Sequence, residues 1–232
     1  MLTRTSRLHR GGPAARGLSI MELLIGIAVG MIVISGAAML FARNLSGSKL
    51  LLAESRLNED LRNAADLLTR DLRRAGYWGN AIKGTQAIGA GAITTANPYS
   101  DSTASAQQVD YRFSREVDVA ENDALDPSSE QFGFRLHDKA IQMQVGTDNW
   151  SDITDKTSVE ITTFTVTPTV TSVSLGDACP NACLPGQPNC PTATVRSYAV
   201  LLHGVSVRDS GLQRTLRSTV RVRNDQVSGT CP

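Results

Sequence analysis

A chain of 232 residues with 41% hydrophobic and 19% charged residues is long enough for one globular domain and an attached segment. The formal net charge is +1, so the total charge gives no indication of a nucleic-acid partner. The charge is unevenly distributed, because residues 1–17 contain four arginines and no acid. This pattern predicts a basic leader followed by a mildly acidic remainder.

The first predicted element is an apolar helix over residues 18–41, LSIMELLIGIAVGMIVISGAAMLF. Twenty-four such residues are enough to cross the roughly 30 Å hydrocarbon layer of a membrane. Arginines precede the segment, and none follows until Arg43, which places the N-terminus in the cytoplasm. We therefore expect a single-pass inner-membrane protein with a periplasmic C-terminal domain. An ordinary secretory signal has a shorter apolar core and a cleavage site after it.

Glu22 places a carboxylate inside this apolar segment, where a charge costs about 2.5–3.5 kcal/mol on insertion scales. Glu22 lies near one end of the segment, so its side chain could reach the membrane interface. Alternatively, it pairs with a new amine at Leu18, if the chain is cut after Gly17. The spacing alone favours neither interpretation.

Gly26 and Gly30 form a G-x-x-x-G pattern in the same segment, a spacing that lets two membrane helices approach closely. They are candidate helix-packing residues. The alternative is that glycine is simply frequent in membrane helices.

A second, amphipathic helical segment is predicted over residues 42–75, continuing from the first. Its apolar residues fall on one stripe about 100° wide, as in a helix packed on one side. Glu54 breaks this stripe and is expected beyond the edge of the domain that the helix contacts. Gly76 provides the C-terminal stop. The stripe consists of positions 50, 57, 61, 64, 65, 67, 68, 72 and 75.

Residues 76–232 are predicted to form a periplasmic β-rich domain, because Thr, Val, Ile and Tyr alternate with polar residues in several segments. In the last segment, Leu216, Ser218, Val220 and Val222 face one way. An antiparallel sheet on the helix stripe buries both apolar faces, which predicts an α+β fold. The predicted strands are Gln108–Arg115, Gln131–His137, Ala140–Val145, Val159–Val170, Ala193–Arg208 and Leu212–Arg223.

The cysteines predict disulfides in an oxidising compartment, since their number is even and they cluster among Pro, Gly and Asn. A zinc site is the alternative, but neither His137 nor His203 lies at ligand spacing from them. The four candidates are Cys179, Cys183, Cys190 and Cys231.

The pairing of the cysteines can be predicted from the hairpin turn at Asp209-Ser210-Gly211. If Ser210 and Gly211 are its two central residues, Cys190 lies opposite Cys231. The prediction is therefore Cys190–Cys231 and Cys179–Cys183, with two other connectivities left open.

Two segments are expected to be exposed loops. Residues 84–105 are small and polar, and residues 121–130 contain several acids that could bind calcium. The second segment lacks the spacing of an EF-hand loop, so a solvated loop is the preferred interpretation.

No catalytic motif is present: the sequence contains no nucleophile elbow, P-loop, HExxH or dinucleotide fingerprint. We expect no enzyme, cofactor or metal. Arg217, Arg221 and Arg223 could suggest DNA binding, but alternating charge on an exposed sheet face explains them equally well. The interleaved aromatics of a single-strand binder are missing.

Residues 17–22, Gly-Leu-Ser-Ile-Met-Glu, follow a basic leader and precede an apolar helix. This arrangement resembles the class III signal of type IV prepilins. The resemblance implies that prepilin peptidase cuts after Gly17 and methylates Leu18. It also implies that Glu22 pairs with a neighbouring subunit's N-terminal amine during assembly. The family more often has Phe where this chain has Leu18, and the helix-bending proline of major pilins is missing.

The segment DLRRAGYWG, residues 71–79, resembles the end of the long helix in PilW-type minor pilins. Together, the two motifs imply a minor pilin that helps to initiate pilus assembly and so supports motility, adhesion or DNA uptake. The implied partners are major and minor pilins, prepilin peptidase and the inner-membrane assembly platform. A type II secretion pseudopilin and a membrane-anchored periplasmic binding protein are the alternatives.

Overall fold

The chain begins with one long helix, α1, which extends over 53 residues from Ile20 to Leu72. The computed structural model describes residues 17, 19–84, 96–115, 120–181, 183, 190–229 and 231. The chain divides into two units, residues 1–50 and residues 51–232. In the first unit, the described part of α1 contains no buried side chain. The helix predicted from the apolar segment is thus confirmed from Ile20 onwards.

In the second unit, the predicted apolar stripe of α1 forms one wall of the core. Leu68 and Leu72 are completely inaccessible to solvent, and Leu67 is partly buried. Leu50, which was assigned to the stripe, is 45% exposed and belongs to the first unit. The buried members are Leu57, Leu61, Ala64, Ala65, Leu68, Leu72 and Ala75.

The helix ends three residues earlier than predicted, at Leu72 and not at Ala75. The reason is that the next residues form tighter turns: the amide of Ala75 donates to the Leu72 carbonyl at 3.2 Å. Gly76 then adopts a φ of +73°, a conformation that glycine tolerates without strain. Its amide donates to the Arg112 carbonyl at 2.7 Å, which turns the chain away from the helix.

The remaining chain forms two antiparallel sheets, where a single sheet was expected. The first contains five strands in chain order: β1 (Ser102–Ala104), β2 (Gln108–Arg112), β3 (Gln131–His137), β4 (Ala140–Val145) and β5 (Trp150–Asp152). The second contains β6 (Val159–Ser174), β7 (Thr192–Ser206), β8 (Gln213–Arg221) and β9 (Gln226–Ser228). Its order is β6-β7-β8, and β9 pairs with β7 beyond the end of β8. Short 3₁₀ turns occupy Ala81–Gly84 and Gly176–Ala178.

Both sheets contribute to one core beneath α1. Phe113 and Phe132 stack with their ring centroids 4.0 Å apart, and Phe134 is fully buried beside them. From the second sheet, Phe164 and Leu202 enter the same cluster. The fold is therefore α+β, with the long helix packed on antiparallel sheets, as the sequence predicts.

Six strands were predicted, and β3 and β4 match the prediction residue for residue. β6 extends to Ser174 and so is longer than predicted, whereas β2 ends at Arg112 and is shorter. The three strands that the sequence did not predict, β1, β5 and β9, each contain only three residues. Such segments are too short to show a period.

The predicted register of the β7–β8 hairpin is wrong by three residues. The predicted turn places Val205 opposite Leu216, whereas Val205 pairs with Gln213. The turn is longer than two residues, because the Asp209 carboxylate accepts the Gly211 amide at 2.9 Å and shapes a wider loop.

All four cysteines form disulfides, but the predicted pairing is wrong. The bridges are Cys179–Cys231, with Cα atoms 5.4 Å apart, and Cys183–Cys190, with Cα atoms 5.9 Å apart. Thr192 of β7 is opposite both Ser174 of β6 and Ser228 of β9. The chain therefore leaves β6 and β9 at the same end of the sheet, and this brings Cys179 to Cys231.

Candidate functional site

The N-terminal end of α1 carries the residues that the sequence assigned to processing and assembly. Gly17 and Glu22 are exposed, while Leu18 lies outside the described residues. The Leu23 amide donates to the Ser19 carbonyl at 3.1 Å, so the first helical turn starts at Ser19. Glu22 therefore lies in the first turn, where the helix dipole favours a negative charge.

The first part of α1 exposes a continuous apolar surface. Ile20, Ile32 and Ile34 are each at least 70% exposed, and the segment is long and apolar enough to cross a membrane. Ser35 bonds through its hydroxyl to the Met31 carbonyl at 2.7 Å, so this polar group is satisfied within the helix. Exposure of such a surface to water is unfavourable, so it is suited to an apolar environment.

Glu22, Gly26 and Gly30 lie at four-residue intervals and so share one face of the helix. A Cβ atom added at either glycine would meet no atom within 4 Å, so packing inside this chain does not require their small size. Among the described residues, Glu22 has no hydrogen-bond or ion-pair partner. A carboxylate within the hydrocarbon layer is costly unless it is paired or reaches the membrane interface.

The motif at residues 71–79 joins the end of α1 to the first sheet. The guanidinium of Arg74 lies over the Phe113 ring at 4.1 Å, and the Tyr77 carbonyl accepts the Ser114 amide at 2.9 Å. Trp78 is buried and donates from its indole to Asp123 at 2.8 Å. The motif residues thus act as a structural junction.

The described residues of the two segments predicted to be exposed loops lie mainly in loops and turns, but each segment contains one buried residue. Residues 85–95 lie outside the described residues, but Tyr99 is fully buried. Its hydroxyl lies 2.9 Å from Glu121 and 3.3 Å from the buried Glu130. Glu130 also accepts the Arg115 amide at 3.0 Å. Glu121 and Glu130 therefore satisfy internal donors, while Asn122, Ala124 and residues 126–128 of the same segment are exposed.

The pKa of Glu121 reflects these contacts. Burial acts to raise it, but hydrogen bonds from the Ser114 side chain and the Gly79 amide together hold this pKa below its ordinary value. A carboxylate that accepts several donors stays ionised. Within the ranges that the structure describes, no group of three His, Cys, Asp or Glu side chains could hold a metal ion.

Asp71 is the buried carboxylate of the junction, only 5% exposed. Burial raises the pKa of Asp71, although Arg74 and Arg70 act in the opposite direction. The hydroxyl of Tyr111 faces this carboxylate without the geometry of a hydrogen bond. Burial also raises the pKa of Tyr111. The ionised form of Asp71 is thus less stable in the folded protein than in the unfolded chain.

We expect Asp71→Asn to increase the free energy of unfolding near pH 7, because the amide avoids the cost of burying a charge. The wild type gains stability as the pH falls from the raised pKa of Asp71 towards the unfolded value of 3.8. The difference in free energy of unfolding between the variant and the wild type therefore decreases as the pH falls across this range. Urea unfolding at several pH values measures the difference. A variant that is less stable than the wild type at neutral pH contradicts the assignment.

The arginines considered for DNA binding lie at the exposed edge of the second sheet. Arg217 and Arg223 are exposed, and Arg221 pairs with Asp225 at 2.7 Å. The neighbouring Arg214 forms an ion pair with Glu54 of α1. Glu54 therefore contacts the domain. The expectation that Glu54 lies beyond the edge of the domain is wrong.

The two histidines that were considered as zinc ligands lie in strands of the two sheets. His203 lies in β7, with its Nδ1 atom 2.8 Å from the Thr215 hydroxyl of β8. His137 is the last residue of β3 and is exposed.

The fold and the apolar helix define a class of α+β proteins in which a long N-terminal helix packs on antiparallel sheets. Residues 50–222 match the family described as PpdB, prepilin peptidase-dependent protein B. This match covers more than half of the chain, which therefore belongs to that family. No curated protein and no solved structure matched the chain. The matched range begins after Glu22, so cleavage at Gly17 and methylation of Leu18 stay predictions.

Proposed function

We propose that this chain is a PilW-type minor pilin that helps to initiate type IV pilus assembly. The observation that supports this role most strongly is the apolar helix surface around Glu22, which is uncovered in the described chain. In this proposal, lipid covers the apolar surface before assembly, and the helices of neighbouring subunits cover it in the pilus. The same surface thus serves first as a membrane anchor and then as a packing interface. The role is structural and not enzymatic.

In this proposal, Gly17 is the last residue of a leader that prepilin peptidase removes, and Leu18 becomes the methylated N-terminus. Glu22 then pairs with the terminal amine of a neighbouring subunit. The pairing would neutralise a charge that finds no partner among the described residues of its own chain. Membership of a family described as prepilin peptidase-dependent supports this order of events.

The proposed location follows from the same features. The N-terminus lies in the cytoplasm, α1 crosses the inner membrane, and the domain that follows lies in the periplasm until the subunit enters the pilus. The two disulfides support the periplasmic location, since disulfides persist in oxidising compartments. Major pilins, other minor pilins and the assembly platform are the proposed partners.

Mass spectrometry of the N-terminal peptide tests the proposal, using cells with and without prepilin peptidase. We expect a methylated N-terminus at Leu18 only when the peptidase is present. Gly17→Val should retain the leader, whereas the matched variant Gly12→Val should be cleaved normally. An intact Met1 leader in both strains contradicts the proposal and favours a membrane-anchored periplasmic protein.

A further inference from the structure

The far end of β6 extends beyond the core of the domain. Val159, Ile161, Phe164 and Val166 are buried, but every residue from Thr167 to Ser174 is exposed. Since successive side chains of a strand point to opposite faces, both faces of this stretch are uncovered. We call residues 167–174 the arm strand.

The arm strand also has a free outer edge. β6 is the first strand of the second sheet and, among the described residues, the arm strand pairs only with β7. An edge strand presents a row of unpaired amide and carbonyl groups that can pair with a further strand. Pro168 is consistent with this position, because proline within sheets is confined mainly to edge strands.

Proteins usually protect such an edge with charged side chains or proline, and from Thr169 to Ser174 the arm strand has neither. Its sequence, TPTVTSVS, contains only Thr, Pro, Val and Ser, and Val170 and Val173 are 61% and 47% exposed. The opposite edge of the same sheet differs, since β8 carries Arg214, Arg217 and Arg221. The neutral edge is therefore the one suited to pairing.

Two disulfides hold the region immediately beyond the arm strand. Cys179 follows the 3₁₀ turn after β6 and is bonded to Cys231, while Cys183 is bonded to Cys190 just before β7. The Leu175 amide donates to the Pro191 carbonyl at 2.8 Å, which continues the pairing past the arm strand. A cross-linked end limits fraying of the strand and so reduces the entropy lost when it pairs.

We propose that the arm strand pairs, antiparallel and edge to edge, with the arm strand of a second copy of this chain. A symmetric interface requires a surface that is complementary to itself. The arm strand meets this requirement from Thr169 to Ser174, because an antiparallel register over these residues places neutral Thr, Val or Ser residues opposite one another. Such pairs are favourable across strands, and like charges never meet.

Two-fold symmetry makes a specific geometric prediction. In an antiparallel ladder, hydrogen-bonded and non-hydrogen-bonded pairs alternate, so a symmetric pair must place one residue directly opposite its own copy. Paired residues have Cβ atoms about 4.5–5.5 Å apart, within reach of a disulfide with small adjustments. A single cysteine at that residue therefore cross-links two chains.

The experiment uses the full chain in detergent, with single cysteines introduced at each position from Thr169 to Ser174. The native cysteines are all bonded, so the added thiol is the free one. After oxidation, we expect a reducible dimer with one maximum along the series and at least about a tenfold decrease two residues away, where the distance exceeds disulfide geometry. Thr219→Cys on the exposed edge of β8 is the matched control and should remain monomeric. Equal cross-linking at all positions, or none, overturns the proposal.

A second measurement separates this pairing from association through α1. The mass of the protein in detergent is determined for Thr171→Lys and for Thr219→Lys, two exposed threonines on opposite edges of the sheet. We expect dimers for the wild type and Thr219→Lys, and monomers for Thr171→Lys, because a lysine on an edge strand opposes edge-to-edge pairing. Dimers that persist in Thr171→Lys show that the helix alone associates and overturn the proposal. A monomeric wild type overturns it as well and leaves the edge to a different subunit.

Discussion

Replacing Glu22 with alanine is expected to lower the amount of the chain in assembled pili by about tenfold or more. A tenfold decrease corresponds to a loss of about 1.4 kcal/mol in the free energy of assembly. The carboxylate lies in the first turn of a helix whose surface is apolar, and no described residue of its own chain pairs with it. Under the proposed pairing, removing the charge removes the attraction to a neighbouring N-terminal amine in surroundings of low dielectric.

The measurement is an immunoblot of sheared pili and of membranes from the same cells. Leader cleavage and the amount of protein in the membrane should not decrease in Glu22→Ala, because alanine is tolerated in an apolar helix. Glu59→Ala is the matched control: Glu59 is an exposed carboxylate further along α1 that bonds to Ser55 at 3.1 Å. Normal incorporation of Glu22→Ala contradicts the assembly role, and equal losses in both variants show that the effect is not specific to Glu22.

Removal of the Cys179–Cys231 bridge is expected to lower the free energy of unfolding by about 4 kcal/mol. The bridge closes a loop with a sequence separation of 52, and a longer loop in the unfolded chain loses more conformational freedom when it is closed. It also ties the end of the chain, just after β9, to the segment that follows β6.

The Cys183–Cys190 bridge provides the comparison, since its sequence separation is only 7 and its removal should cost about 2 kcal/mol. Paired Cys→Ser variants of each bridge are compared by urea unfolding in the same detergent. A larger loss for the short bridge than for the long one contradicts the loop-length explanation.

The sequence predicts best those elements in which apolar residues recur at the regular spacing of a helix or a strand, because this spacing determines which side chains are buried. The stripe on α1 is one example, because Leu57, Leu61, Leu68 and Leu72 recur at helical spacing and all face the core. The alternation in β8 is another: Val220 is buried while Arg217 and Arg221 are exposed.

The features that the sequence did not predict depend on contacts between distant residues. The cysteine pairing depends on the register of β9 on β7, which a three-residue strand does not reveal. The burial of Tyr99 depends on Glu121 and Glu130, which approach it only in the folded chain. A polar composition around Tyr99 gave no indication of this contact.

The candidate assembly residues were predicted from a motif and from the rule that a charge within an apolar helix needs a partner. The structure adds that Glu22 shares a helix face with Gly26 and Gly30, and that packing among the described residues does not require either glycine. The leader itself, residues 1–16, and Leu18 lie outside the described residues.

The carbonyl groups at the end of α1 have partners close to the end of the chain. The Arg73 carbonyl accepts the Arg223 amide at 3.1 Å, and the Asn224 side-chain amide donates to the Ala75 carbonyl at 3.2 Å. About 150 residues separate these groups in the sequence, so the ribosome makes the helix long before it makes the residues that complete its end. The end of α1 lacks these partners until Arg223 and Asn224 have folded against it. A chain truncated before Arg223 is therefore expected to have a less stable helix end, because the Arg73 and Ala75 carbonyls lose these donors.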